Sequence, residues 1–171
     1  MKASEASAAD HVNPWRIAVL YGMASYLDAG ALTGTSTALV LFAQELALSK
    51  SDIGLLSGLL TAFFALGSLC GGALGDRLGR QTVFRASLAS FLVGLVCFGL
   101  ASNQVMLYAG VVILGSTIGA NLPVATTMIA ESAPEHLRGK LLTLSSLLWL
   151  VGIASTAVVT ALAAKLGATG G

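Results

Sequence analysis

Long apolar runs, separated by short polar connections, dominate the chain. A helix needs about 20 mostly apolar residues to cross the hydrocarbon core of a bilayer. Five runs reach this length, over residues 16–38, 53–74, 82–101, 105–129 and 141–163. Because short connections place consecutive helices antiparallel and side by side, the pattern predicts an all-α integral membrane protein, a bundle of five transmembrane helices.

The composition agrees with this pattern. Of the 171 residues, 56% are apolar and only 10% are charged, whereas soluble domains average about 25% charged residues. So few charges could not cover a surface that faces water. The net charge of +1 and the scattered basic residues give no indication of a nucleic-acid partner.

The placement of Lys and Arg predicts the orientation in the cell (inner) membrane. Residues 1–15 are polar and lack the apolar core of a cleavable signal peptide, so we expect a cytoplasmic N-terminal tail there. With the N-terminus inside, seven of the nine Lys and Arg residues lie on the cytoplasmic side, as the positive-inside rule requires.

Small residues recur at a spacing of four within the apolar runs. The glycine pairs are Gly30/Gly34, Gly54/Gly58, Gly67/Gly71 and Gly115/Gly119. Apolar burial does not drive helices together in lipid, but small residues let two backbones approach closely. Although glycine is common in membrane helices, four such pairs predict a tightly packed bundle.

Cofactor chemistry has little support in the sequence. Cys70 and Cys97 lie within apolar runs, and neither is part of a CxxC or Cys/His pattern. We also find no nucleotide-binding loop and no nucleophile–base pair. We therefore expect no metal, no cofactor and no enzymatic activity.

The connection between the second and third runs, residues 71–81, reads GGALGDRLGRQ. Its glycines permit a sharp turn, and Asp76 can pair with Arg77 or Arg80. A solvated loop with basic anchors would explain the arginines, but it would not explain the acid or the glycine spacing.

This loop resembles the signature loop between helices 2 and 3 of the major facilitator superfamily, G-x-L-[GA]-D-R-x-G-R-[RK]. The matching residues are Gly72, Leu74, Gly75, Asp76, Arg77, Gly79 and Arg80, and Gln81 departs from the pattern. The resemblance implies that the loop gates the exchange between outward-facing and inward-facing states.

A second segment resembles the P…E-x-[AS]-P-x-x-x-R-G element of sugar porters and related metabolite symporters. It contains Pro123, Glu131, Pro134, Arg138 and Gly139. The resemblance implies a charge network of Glu131 and Arg138 at a cytoplasmic gate. A helix stop followed by basic anchors is the alternative. Pro123 and Glu131 are eight residues apart, which is more similar to the branch that carries aromatic acids, organic ions and other metabolites.

Asp28 lies near the middle of the first apolar run. A carboxylate at this depth costs about 2.5–3.5 kcal/mol and normally faces the bundle interior or an aqueous cavity. Helical spacing places Tyr21, Ser25 and Thr35 on the same face. Asp28 is therefore either a proton-binding group or a structural acid that contacts a neighbouring helix.

The segment DAGALTGT, which begins at Asp28, resembles the first helix of sugar porters, where the acid exchanges the proton. The Arg partner of that acid aligns with Val111, so this partner is missing. Trp149 either packs in the bundle or stacks on a substrate. The expected substrate path is lined by Tyr21, Ser25, Thr35, Asn121, Ser146 and Trp149.

The resemblance implies a secondary transporter, a proton-coupled symporter for a sugar, an organic acid or an organic ion. Residues 16–171 would form a partial N-terminal transporter domain, with the C-terminal half missing from the sequence. Its partners would be the lipid bilayer, the substrate and protons. The alternative is a truncated membrane protein that does not transport and acts only by assembling with other helices.

Overall fold

The computed structural model describes residues 14–169, except for the side chains of residues 14, 44–45 and 164–169. The predicted tail over residues 1–15 lies almost entirely outside this range. The described residues form five helices and no strand: α1 Pro14–Glu45, α2 Lys50–Leu78, α3 Arg80–Gly99, α4 Gln104–Ser132 and α5 Glu135–Thr169. The predicted all-α class is confirmed.

Four of these helices, α2 to α5, are long and apolar enough to cross a bilayer. At 32 residues, α1 is also long enough, but it is not among the four. Asp28 and several Ser, Thr and Tyr residues interrupt the apolar residues of α1. The crossing of the membrane by α1 therefore stays a prediction.

Helix α4 is the centre of the bundle and contacts each of the other four described helices. It packs most extensively against α2 and α3, whereas α1 packs mainly along α5. Leu107, Leu114 and Ile118 of α4 are fully buried, in one apolar cluster with Leu60 of α2 and Phe91 of α3. Other helices therefore cover α4 on more than one side.

Two of the predicted glycine pairs explain how closely α2 and α4 pack. A Cβ atom added to Gly71 would lie 2.5 Å from Ala120 Cα, and one added to Gly115 would lie 2.7 Å from the Leu60 carbonyl oxygen. Gly67 and Gly119 lie against the opposite backbone as well. Side chains at these four positions would force the two helices apart.

The other two predicted pairs differ from each other. Gly30 and Gly34 face Thr156 of α5 and belong to the contact between α1 and α5. Gly54 and Gly58 face open space, since an added Cβ would meet nothing within 4 Å. The interpretation of this pair as a packing site is therefore not supported in the described part of the chain.

The connections between helices are short, as predicted. Gly79 alone separates α2 from α3, and its φ of 88° is a conformation that side chains rarely permit. Ser49 and Asp52 form a capping box at the start of α2, and Asn103 caps α4 by accepting a hydrogen bond from the Met106 amide. These turns hold the helices antiparallel.

Candidate functional site

Asp28 is buried in the bundle, with 3% of its surface exposed. Its Oδ1 accepts a hydrogen bond of 3.2 Å from Nδ2 of Asn121 on α4, and Asn121 is fully buried. Neither ion pair between the described side chains includes Asp28. Its partner is therefore a neutral amide and not a cation.

Ser87 extends this contact to a third helix. Its hydroxyl on α3 donates a hydrogen bond to Oδ1 of Asn121 and also lies 3.0 Å from the carbonyl oxygen of Phe84, one turn earlier. Because Oδ1 of Asn121 faces Ser87, its amide nitrogen faces Asp28. The three side chains form a buried polar cluster, Asp28–Asn121–Ser87, that joins α1, α4 and α3.

The alignment with sugar porters placed the helix-4 partner of Asp28 at position 111. Val111 is fully buried within the apolar cluster of α4. The polar contact of Asp28 comes instead from Asn121, almost three helical turns further along. Asn121 was predicted to line a substrate path, and the structure places it against the acid.

The polar face predicted for α1 packs inside the bundle. Ser25 Oγ lies 3.2 Å from Ser145 Oγ of α5, and both serines are buried. Thr35 is buried as well, whereas Tyr21 is half-buried and packs edge-on against the ring of Phe84, with ring centres 4.7 Å apart. Most of this face therefore forms contacts between helices.

An open cavity of about 450 Å³ lies between α1, α4 and α5. It is lined by Ser25, Leu122, Thr126, Ser145, Ser146, Trp149 and Leu150. Three predicted path residues, Ser25, Ser146 and Trp149, thus meet at one cavity. Trp149 also packs against the apolar core, so both interpretations of this side chain find support.

The other predicted path residues lie elsewhere. Asn121 and Thr35 are not among the residues that line this cavity. Tyr21 lines a separate cavity of about 530 Å³ between α1, α3 and α4, with Arg85 and Gln81. The six residues of the predicted path are therefore divided between two cavities and the buried interior.

The signature loop forms a charge bridge among three helix ends. Arg80 Nη2 donates a hydrogen bond of 3.2 Å to Asp76 Oδ1, and Arg80 Nη1 lies 2.6 Å from Glu131 Oε1 of α4. Among the described residues Nη1 has no hydrogen-bond partner, so its contact with Glu131 is electrostatic. The bridge Asp76–Arg80–Glu131 ties the turn between α2 and α3 to the end of α4.

The remaining motif residues surround this bridge. Gly75 is buried, and an added Cβ would lie 3.6 Å from the Val124 side chain, whereas Gly72 borders open space and Arg77 is exposed. Arg138 donates from Nε to the carbonyl oxygen of Ala130 at 3.0 Å and so caps the end of α4. Among the described residues, Glu131 pairs with Arg80 and forms no ion pair with Arg138.

Sequence reasoning missed Ser87, Ser145 and Thr126. A single Ser or Thr in an apolar helix carries no distinctive signal, because such a hydroxyl commonly bonds to its own backbone one turn earlier. Only the packing of the helices places Ser87 against Asn121 and brings Ser145 and Thr126 to the lining of the cavity.

The two cysteines of the chain lie in different helices, α2 and α3. Cys70 and Cys97 are both free thiols, one exposed and one half-buried. The searched residues contain no group of three or more His, Cys, Asp or Glu side chains that could hold a metal ion. The candidate site therefore consists of the polar cluster, the cavity and the charge bridge.

Comparison with protein families supports the resemblance seen in the signature loop. The model of the Major Facilitator Superfamily matches residues 18–169, nearly the whole described chain. The chain belongs to the Major Facilitator Superfamily. Together with the four long apolar helices, this membership makes it an integral membrane protein.

Several curated proteins of this superfamily are similar to the chain. The minor myo-inositol transporter IolF of Bacillus subtilis (strain 168) is 36% identical over 152 residues, which are 86% of this chain and 34% of that protein. The niacin transporter NiaP of Acinetobacter baylyi is 33% identical over 134 residues, 78% of this chain and 30% of that protein.

A human relative extends the range of substrates. Solute carrier family 2, facilitated glucose transporter member 12, is 33% identical over 139 residues, 80% of this chain and 21% of that protein. The chain spans about a third or less of the length of these curated relatives. Their names describe transporters of small metabolites.

Proposed function

We propose that this chain is part of a proton-coupled secondary transporter, a symporter, in which Asp28 binds the proton. The observation that carries the proposal is a buried carboxyl group whose partner is the neutral amide of Asn121. Ionisable residues inside membrane segments are rare and commonly mark ion and proton pathways. With no cation paired to it among the described side chains, Asp28 can exist in both protonation states.

The cavity between α1, α4 and α5 suggests the class of substrate. Four of its lining residues carry hydroxyl groups, Trp149 offers an aromatic face, and none of the seven is charged. An organic anion would lack a counter-ion among these residues. We therefore propose a small polyol or sugar as the substrate, in line with the names of the inositol and glucose relatives.

The charge bridge is the proposed gate. Asp76, Arg80 and Glu131 hold the ends of α2, α3 and α4 together on one side of the bundle. The excess of Lys and Arg on that side favours a cytoplasmic position, with the N-terminus also inside. Breaking the bridge would free the helix ends to move during the exchange between states.

Uptake into proteoliposomes tests the proton-binding role of Asp28. The protein encoded by the longest reading frame that contains these residues is purified and reconstituted. Its uptake of labelled myo-inositol or glucose is then measured under an imposed pH gradient. We expect Asp28→Asn to lose uphill accumulation but to retain exchange of labelled against unlabelled substrate. The amide fills the same space and keeps a hydrogen bond, but it cannot carry a proton.

Glu135→Gln is the matched control, because Glu135 is exposed in the first turn of α5. It removes one carboxylate outside the polar cluster and should accumulate substrate like the wild type. Equal accumulation by wild type and Asp28→Asn would show that Asp28 is a structural polar contact. Preference for nicotinate over both polyol and sugar would overturn the proposed substrate class.

A further inference from the structure

The polar cluster Asp28–Asn121–Ser87 has more hydrogen-bonding options than it uses at one time. The Ser87 hydroxyl has one proton but two acceptors within reach, Oδ1 of Asn121 and the carbonyl oxygen of Phe84. The Asn121 amide has a donor end and an acceptor end of nearly equal size. Both groups can therefore reverse direction without any movement of the backbone.

When Asp28 is ionised, the arrangement seen in the structure gives each of the three side chains a hydrogen-bond partner. Nδ2 of Asn121 donates to the Asp28 carboxylate, and the Ser87 hydroxyl donates to Oδ1 of Asn121. A carboxylate is an acceptor only, so it requires the donor end of the amide. The Phe84 carbonyl oxygen receives no bond from Ser87 in this arrangement.

When Asp28 binds a proton, the requirement changes. Its new O–H group is a donor and needs an acceptor in a buried site. Half a turn of the Asn121 side-chain amide presents Oδ1 to Asp28 and Nδ2 to Ser87. The Ser87 oxygen then accepts from Nδ2, and its own proton turns to the Phe84 carbonyl oxygen, 3.0 Å away. Each of the three side chains again has a hydrogen-bond partner.

We propose that Asn121 and Ser87 form a reversible hydrogen-bond relay that keeps Asp28 partnered in both of its protonation states. The inference rests on the proposed proton-binding role of Asp28 and assigns Ser87 as a positioning residue. The hydroxyl at position 87 can both donate to and accept from the amide, whereas an alanine side chain can do neither. The relay allows the acid to load and unload its proton without losing its hydrogen-bond partner.

Three charged side chains of the neighbouring helices, Arg85, Glu131 and Arg138, have contacts away from Asp28. Arg85 of α3 lines the separate cavity that also contains Tyr21. Glu131 of α4 pairs with Arg80, and Arg138 of α5 donates to a backbone carbonyl. The only side-chain hydrogen bond to Asp28 among the described residues is the one from Asn121. The relay is therefore the main polar environment of the acid.

The Phe84 carbonyl carbon reports the state of the relay by nuclear magnetic resonance. Phe84–Arg85 is the only Phe-Arg pair in the 171 residues, so carbonyl-¹³C phenylalanine combined with ¹⁵N arginine selects it. A separate sample with carboxyl-¹³C aspartate follows Asp28, whose signal is identified by its loss in Asp28→Asn. Both samples are measured in lipid nanodiscs over a range of pH.

We expect the Phe84 carbonyl shift to change with the same midpoint as the Asp28 carboxyl signal. Ser87→Ala should abolish this change, and Ser87→Thr, which keeps the hydroxyl, should restore it. Ser90→Ala is the matched control, since Ser90 lies three residues further along α3 and is exposed. If Ser87→Ala does not fold, Ser87→Cys, with its weaker donor, should reduce the change.

The possible failures are distinguishable. A Phe84 signal that is constant while Asp28 titrates, or that still follows Asp28 in Ser87→Ala, overturns the relay and leaves the proton-binding role intact. An Asp28 carboxyl that does not titrate overturns both the relay and the proposed proton coupling.

Discussion

Arg80 at the start of α3 and Glu131 near the end of α4 form an ion pair in which Nη1 lies 2.6 Å from Oε1. The two residues are far apart in the chain, and each belongs to a different family motif. Their contact joins the signature loop to the segment that contains Pro134 and Arg138. The two motifs are therefore parts of one structure at one end of the bundle.

The charge bridge should matter more for transport than for stability. The side chains of Asp76 and Glu131 are 70% and 60% exposed, and exposed ion pairs contribute about 0–1 kcal/mol. We expect Asp76→Asn and Glu131→Gln to express and melt like the wild type. A loss of about 1 kcal/mol changes the equilibrium between the outward-facing and inward-facing states about fivefold. We therefore expect the transport rate to fall several-fold.

Initial uptake rates and thermal melting of the purified variants test this prediction. Glu135→Gln, which removes an exposed acid at the start of the next helix, serves as the control and should leave both quantities unchanged. Normal transport by Asp76→Asn would mean that the signature loop has no gating role.

Replacement of α2 glycines by alanine should affect the free energy of unfolding differently at Gly71 and Gly58. A Cβ at Gly71 would overlap the backbone of Ala120, so Gly71→Ala should lower the free energy of unfolding by about 1–3 kcal/mol. Gly58 faces open space, and Gly58→Ala should be neutral or stabilising by about 0.5–1 kcal/mol.

Melting of both variants in the same detergent measures the difference, and Gly119→Ala on α4 provides an independent test of the same interface. Gly119 lies against the carbonyl group of Phe64, so its replacement should be at least as harmful as that of Gly71. Equal melting temperatures for Gly58→Ala and Gly71→Ala would contradict the close packing of α2 against α4.

The turn between α2 and α3 should be cytoplasmic, whereas the connection between α3 and α4 should face outward. Gln81 and Ser102 are exposed residues on these two sides. With Cys70 and Cys97 replaced by alanine, we expect an impermeant thiol reagent added to intact cells to label Ser102→Cys and to spare Gln81→Cys. Labelling of Gln81→Cys alone would show that the orientation is the reverse of the predicted one.

Much of the secondary structure was predictable from the sequence, because helix formation in an apolar run depends on local length and composition. Each of the five runs corresponds to one helix, although α1 and α5 extend up to seven residues beyond their runs. A turn within residues 71–81 was also predicted from its glycines, and the structure places it at Gly79. The burial of Asp28 was also predictable, since a carboxylate within such a run is too costly to face lipid.

Which residues meet across helices was decided only by the tertiary structure. Glycine spacing identified four pairs, but only the register between α2 and α4 shows that Gly67/Gly71 are in contact and Gly54/Gly58 are not. Helical periodicity gives the face on which a residue lies, but it does not give the helix that covers that face.

The same distinction applies to the candidate site. The sequence supplied Asp28, Asn121, Arg80 and Glu131, while the fold paired Asp28 with Asn121 and Arg80 with Glu131. Ser87 gave no signal at all, because one hydroxyl in an apolar helix is unremarkable until a neighbour is placed against it. Which side chains contact each other depends on the register and the crossing angle of two packed helices. Side-chain packing determines the register and the angle only when the bundle is assembled.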